Sequence, residues 1–268
     1  MKRFLAGRRL PTTVFSLALL LAIPGAVHAQ QSGNAAPPKN GSGGQAPAEA
    51  PKVNPQEQAD YKAFFDVQDP DKKISMGQAF VDKYPMSNYL PNVYAQMVVA
   101  YYSKQDWNNF YATADKTLVK NPDDVDVLTL VGWVIPHAYN SADPDAQKKL
   151  DKAETYEKRA LDLIPALPKP PNMTDDQFAS AKAQKLSQAH SGLGLVYFRQ
   201  GDPEDAAKEL QEATQAASAA DPADFYVLGV ELQQLNRNSE AADAYQKCAQ
   251  IPGGLQDRCK QSAAQVKK

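Results

Sequence analysis

His190-Ser191-Gly192-Leu193-Gly194-Leu195-Val196-Tyr197, a break at Gly201-Asp202-Pro203, then Ala206-Ala207-Lys208-Glu209-Leu210-Gln211-Glu212-Ala213 is the stretch that decides the fold. Leu186, Leu193 and Tyr197, and after the break Ala206, Leu210 and Ala213, recur at three- and four-residue spacings, the signature of two short helices with one apolar stripe each. A single hairpin of this kind cannot bury both stripes, so it needs neighbours. Gly194 lies mid-helix, where glycine costs about 1 kcal/mol relative to alanine, and a close approach of another helix would offset that cost.

The neighbours are present as repeats. Phe225-x2-Leu228-Gly229-x2-Leu232, followed by Ala241-x3-Tyr245 and Pro252, lies 35 residues downstream of its counterpart. Upstream, Tyr94-x2-Met97-Val98-x2-Tyr101 with Phe110-x3-Ala114 and Asn121-Pro122 is a third copy, and Leu128-x2-Val131-Gly132-x2-Ile135 begins a fourth. The second half of that fourth copy (Ala153, Ala160 and Leu161 before Pro165) arrives nine residues late, which places an insertion near 137–147; a second lies near 164–174. The first copy, Gly77-x2-Phe80-x3-Tyr84-Pro85, keeps only the second-helix pattern.

The pattern large-x2-Leu-Gly-x2-Tyr, tight turn, Ala-x3-large, later Pro resembles the tetratricopeptide repeat (TPR), with His190 where that family often has Trp. The resemblance covers about Gln56 to Pro252. It implies an all-α protein, a right-handed superhelical stack (α-solenoid) of about five antiparallel helix pairs over 55–252 with a capping helix at 253–268.

Helices are expected at about 56–67, 71–83, 87–104, 106–120, from 123 until Pro136 breaks the fifth, 144–164, 174–200, 203–219, from 222, from about 239, and 255–266. Thr174-Asp175-Asp176-Gln177 reads as a capping box, and 165–171 as an extended, proline-rich connector. Residues 1–29 have the form of a signal peptide: Lys2, Arg3, Arg8 and Arg9, an apolar run from Val14 to Ile23, and Val27-His28-Ala29 as a small-residue cleavage site. That run reaches about 15 Å as a helix, half a bilayer core, which favours a cleaved leader over a retained anchor and leaves no membrane span in the mature chain. The expected location is periplasmic or secreted. Residues 30–54, rich in Gly, Pro, Ala and Ser, are expected to form a flexible tether.

The chain is 43% hydrophobic and 22% charged. Removing the leader's four cations from the 29 basic residues leaves 25 against 31 acids, a net charge of −6, which argues against a nucleic-acid partner, whose phosphates would require a basic stripe. His137, His190, Cys248 and Cys259 lack the short spacings of a zinc site. Acid pairs such as Asp123-Asp124, Asp175-Asp176 and Glu204-Asp205 stand at helix starts, where they favour the positive helix end, and are read as caps rather than acid/base groups. No nucleophile motif or phosphate loop is present, so neither catalysis nor a cofactor is expected. Cys248 and Cys259 are a candidate disulfide stapling the cap to the last hairpin, with two separate buried thiols as the alternative.

The resemblance further implies a concave groove lined by the first helix of each hairpin. By spacing from the motifs, Val99, Tyr102, Trp133, Leu195, Phe198, Arg199 and Tyr226 would line it, an aromatic and apolar surface for a helix or extended peptide. Ser191, Leu195 and Gln188 do not match the Lys, Asn and Arg of family members that grip a C-terminal carboxylate. The expected function is a non-enzymatic scaffold or adaptor of the cell envelope that binds another protein. The alternatives are a self-associating structural module, or an accessory to an envelope hydrolase with its chemistry in 137–147.

Overall fold

A computed structural model describes residues 54–217 and 220–266. The expected leader, and the tether as far as residue 53, lie outside the described residues. Within them every regular element is helical: α1 (Pro55–Asp66), α2 (Pro70–Lys83), α3 (Leu90–Ser103), α4 (Trp107–Lys120), α5 (Val125–His137), α6 (Ala146–Leu163), a 3-10 turn (Ile164–Ala166), α7 (Asp175–Gln200), α8 (Pro203–Ala216), α9 (Pro222–Gln234), α10 (Asn238–Gln250) and α11 (Gln256–Val266).

Short polar side chains start many of these helices. Asn54, Asp69, Asp124, Asp202 and Asp221 each accept a hydrogen bond from a first-turn backbone N–H, and Pro55, Pro70, Pro203 and Pro222 occupy the first helical position, where no N–H is needed. Thr174 and Gln177 form the full capping box. Three hairpins close with one geometry: a left-handed residue, Gln105 (φ 57°), Gly201 (φ 79°) or Asn236 (φ 59°), follows the first helix. The next N–H, that of Asp106, Asp202 or Arg237, then donates back to the carbonyl of Tyr101, Tyr197 or Leu232.

The described chain divides into two compact units. The smaller, 54–113 with 170–172, buries Tyr61, Phe64, Phe80, Leu90, Val93 and Met97 between α1, α2 and α3, with the rings of Tyr61 and Tyr89 stacked at 4.2 Å. The larger, 114–169 with 173–266, is a stack. α6 packs on α5, α7 on both, and then α8, α9, α10 and α11 each on the helix before it. This nearest-neighbour order is the solenoid arrangement the repeats call for.

Packing inside the hairpins follows the motif. The position of a Cβ on Gly194 lies 2.7 Å from the Leu210 side chain, and that on Gly229 lies 2.6 Å from the Tyr245 ring, so a larger residue at either glycine would force its partner aside. Pro136 does not break α5 as expected; the helix runs on to His137 with the proline in its last turn. The ring removes only the donor to the carbonyl of Gly132, one turn back, and the ladder resumes with the Ala138 N–H donating to Val134.

Cys248 and Cys259 are disulfide-bonded, with Cα atoms 5.8 Å apart and both residues wholly buried beside Ala223, Phe225 and Leu255. The bond closes a short loop between α10 and α11, which is worth about 2–3 kcal/mol by loop-closure entropy. Replacing both cysteines with alanine should therefore lower the urea-denaturation stability of the larger unit by about that amount. A double variant as stable as the wild type would show that the cap holds by packing alone.

Candidate partner-binding face

The first helices of the larger unit's hairpins are α5, α7 and α9, and the groove residues sort by burial along them. Trp133 is only 6% exposed and Leu195 2%, so these two do not line an open surface. α5 is packed by both α6 and α7, and Val127 to Pro136 is buried without a break, as befits a helix apolar all round. The Trp133 ring lies against that of His137, centroids 3.8 Å apart. Leu195 belongs to the cluster of Leu210, Val227, Leu228 and Tyr245. Val99 and Tyr102 are half-buried on α3 of the smaller unit, where Tyr102 meets the rings of Trp107 and Phe110 at 6.0 and 6.2 Å.

Phe198, Arg199 and Tyr226 remain half-buried. Phe198 from α7 and Tyr226 and Val230 from α9 lie over one core cluster, forming an aromatic and apolar face. Each of the two rings carries an arginine. The Arg199 guanidinium is 5.1 Å from the Phe198 centroid and 5.5 Å from that of Tyr139, in the inserted loop, and that of Arg258 on α11 is 5.7 Å from Tyr226. Arg199 Nε donates to the carbonyl of Pro136 at 3.2 Å, satisfying the end of α5. Burial draws its pKa down, yet a guanidinium stays charged across the physiological range. Among the described residues neither arginine is ion-paired with a carboxylate. Burial also pushes His137, whose Nδ1 lies 2.7 Å from the Trp133 carbonyl, down to about 4, so it adds no charge at neutral pH.

The polar groups nearby are engaged in structure. Ser191 Oγ donates to the buried Asp224 carboxyl at 2.7 Å, and His190 Nδ1 meets Glu209 Oε2 at 2.7 Å, tying α7 to α8. The serine and histidine thus turn to different partners and do not form a nucleophile and base. Among the described residues no cluster of three or more His, Cys, Asp or Glu is placed to hold a metal ion. Tyr139 and Arg258 were not anticipated as neighbours of this face; one lies in an insertion outside the repeat register and the other in the cap, where spacing from a motif predicts nothing.

No family model matches the chain, and no curated protein does so either. Among solved structures it is similar to a thermophilic TPR protein of Thermus thermophilus, with 15% identity over 78% of this chain and 98% of that one and a TM-score of 0.48. It is also similar to a MamA RS-1 double mutant (16% identity, 74% and 95%, TM-score 0.47) and to the TPR domain of P58(IPK) (15%, 79% and 64%, TM-score 0.33).

Proposed function

We propose that the larger unit binds a protein partner on the face formed by Phe198, Tyr226 and Val230, and that the partner offers an apolar segment with acidic side chains beside it. The observation that carries this reading is the pair of arginines, Arg199 and Arg258, each over an aromatic ring and, among the described residues, neither paired with an acid, in a chain whose charge is otherwise net negative. A guanidinium beside aromatic surface, half-buried at Arg199 and exposed at Arg258, favours a carboxylate that it can grip with two parallel hydrogen bonds. The protein then acts as a non-enzymatic scaffold, and its leader-like first 29 residues favour a role in the cell envelope.

Photo-crosslinking in the native cell, from a photoreactive side chain at Phe198 or Tyr226 and at the outward Lys208 as control, tests the reading. A discrete adduct from the two inner positions is expected, and Arg199→Gln with Arg258→Gln should weaken it about tenfold, the loss of roughly 1.4 kcal/mol from charge-assisted contacts. Adducts matching those from Lys208, or unmoved by the arginine changes, would overturn it, as would an adduct with a second copy of this chain alone. Export is read separately, by fusing residues 1–54 to a reporter that is active only outside the cytoplasm.

A further inference from the structure

Glu157, in the middle of α6, is wholly buried, and neither carboxyl oxygen has a hydrogen-bond partner. Its place in the repeat is informative. In the two later hairpins the residue sixteen positions after the helix glycine is the large apolar one that packs on it: Leu210 after Gly194 and Tyr245 after Gly229. Glu157 follows Gly132 by twenty-five, the same sixteen plus the nine inserted residues, so an acid stands where the other hairpins put Leu and Tyr. The carboxyl is wedged between two helices, with Oε1 lying 2.5 Å from where a Cβ would stand on Gly132 of α5 and nearer still to where one would stand on Gly192 of α7. A Cβ at either site would force the carboxyl aside.

Many of the charged groups on the three helices have other partners. On α5, Asp126 pairs with Lys185, and His137 bonds the Trp133 carbonyl. On α7, Lys182 reaches the Pro165 carbonyl, His190 pairs with Glu209 and Arg199 bonds the Pro136 carbonyl. On α6 itself, Lys152 pairs with Asp115, Lys158 with Glu154 and Arg159 with Asp123. Burial alone acts on the Glu157 carboxyl and pushes it well above the usual carboxylate range. Pro136 leaves the carbonyl of Gly132 without its helical donor, an unused acceptor in the turn against which Glu157 packs.

We propose that Glu157 is held as the neutral acid, its hydroxyl donating to the backbone at the Gly132 turn of α5, and that its ionisation loosens the α5–α6–α7 crossing, making this joint a pH-sensitive element of the stack. An ionised carboxylate would repel the carbonyl it had bonded and has no cation to meet it, so the joint must open to let in water or must hold its proton.

The sign follows from the raised pKa. Below the ordinary glutamate range of about 4.3, folded and unfolded chains both carry the proton and the joint is pH-independent. Above it the unfolded chain ionises first, and stability falls as pH rises until the folded group titrates too. Glu157→Gln keeps a donor without a charge, and Glu157→Leu restores the residue type of the other hairpins. The ratio of the wild-type unfolding constant to that of either variant should be flat at pH 4 and then grow by up to about tenfold per pH unit. Glu209, Asp224 and Glu231, the other buried glutamates and aspartates among the described residues of the larger unit, are common to all three proteins and cancel. A ratio constant from pH 4 to 9 would overturn the proposal. Should the variants not fold, amide exchange on the wild type decides it: exchange in α5 and α7, corrected for the intrinsic pH dependence, must rise with pH relative to α10, and parallel behaviour overturns the proposal.

Discussion

Tyr245→Ala is expected to destabilise the larger unit by about 3–5 kcal/mol, the range for emptying a buried aromatic site. The side chain is 1% exposed, its ring fills the space that Gly229 leaves on α9, and the Tyr226 ring stands 5.7 Å away. The neighbouring glycine cannot collapse into the hole, because it has no side chain to move. Tyr245→Phe separates ring from hydroxyl. The hydroxyl donates only to Gln233, an exposed side chain, at 2.7 Å, so its loss should cost no more than about 0.5–1.5 kcal/mol. Urea denaturation of the two variants reads the difference. An alanine variant within about 1 kcal/mol of wild type would mean that the α9–α10 packing is not the tight glycine-to-aromatic contact described.

That contact also shows what the sequence made legible. Gly229 with Tyr245, and Gly194 with Leu210, are the small and large halves of the repeat motif, and the structure brings each pair together. Helix starts were readable because Asp124, Thr174, Asp202 and Asp221 advertise caps, and the hairpin turn because Gly201 takes a left-handed conformation without strain. The side of each helix that faces solvent was harder to read. Motif spacing places Trp133 and Leu195 beside Phe198 on an inner face, but it cannot see that α5 is covered by α6 and α7 at once. The signal was the run Val127 to Ile135, where no charged residue appears and Thr129 alone is polar, the pattern of an enclosed helix rather than an amphipathic one. Glu157 was hidden by the insertion: only when nine residues are discounted does it fall into the motif's large apolar position. Arg199 was placed by spacing, but its ring partner Tyr139 comes from the inserted loop, which has no register to count from.

In the smaller unit, Phe64→Ala is expected to cost about 3–5 kcal/mol. Phe64 is 1% exposed and packs with Tyr61, Phe80 and Met97. It also shields a cation. Lys73 on α2 is 7% exposed; its ammonium donates to the carbonyls of Phe64 and Phe65 at 3.1 and 2.9 Å, capping the last turn of α1, and lies 4.9 Å from the Phe64 ring centroid. Burial lowers the Lys73 pKa, so the ring and the two carbonyls are what make a charge tolerable there. Removing the ring strips one of these supports as well as leaving a void. In a Lys73→Met background the same change should therefore cost less, by about 0.5–2 kcal/mol, the worth of a cation over an aromatic face from exposed to desolvated sites. Equal costs in the two backgrounds would show that Phe64 stabilises by volume alone and that Lys73 is held by the α1 carbonyls without help from the ring.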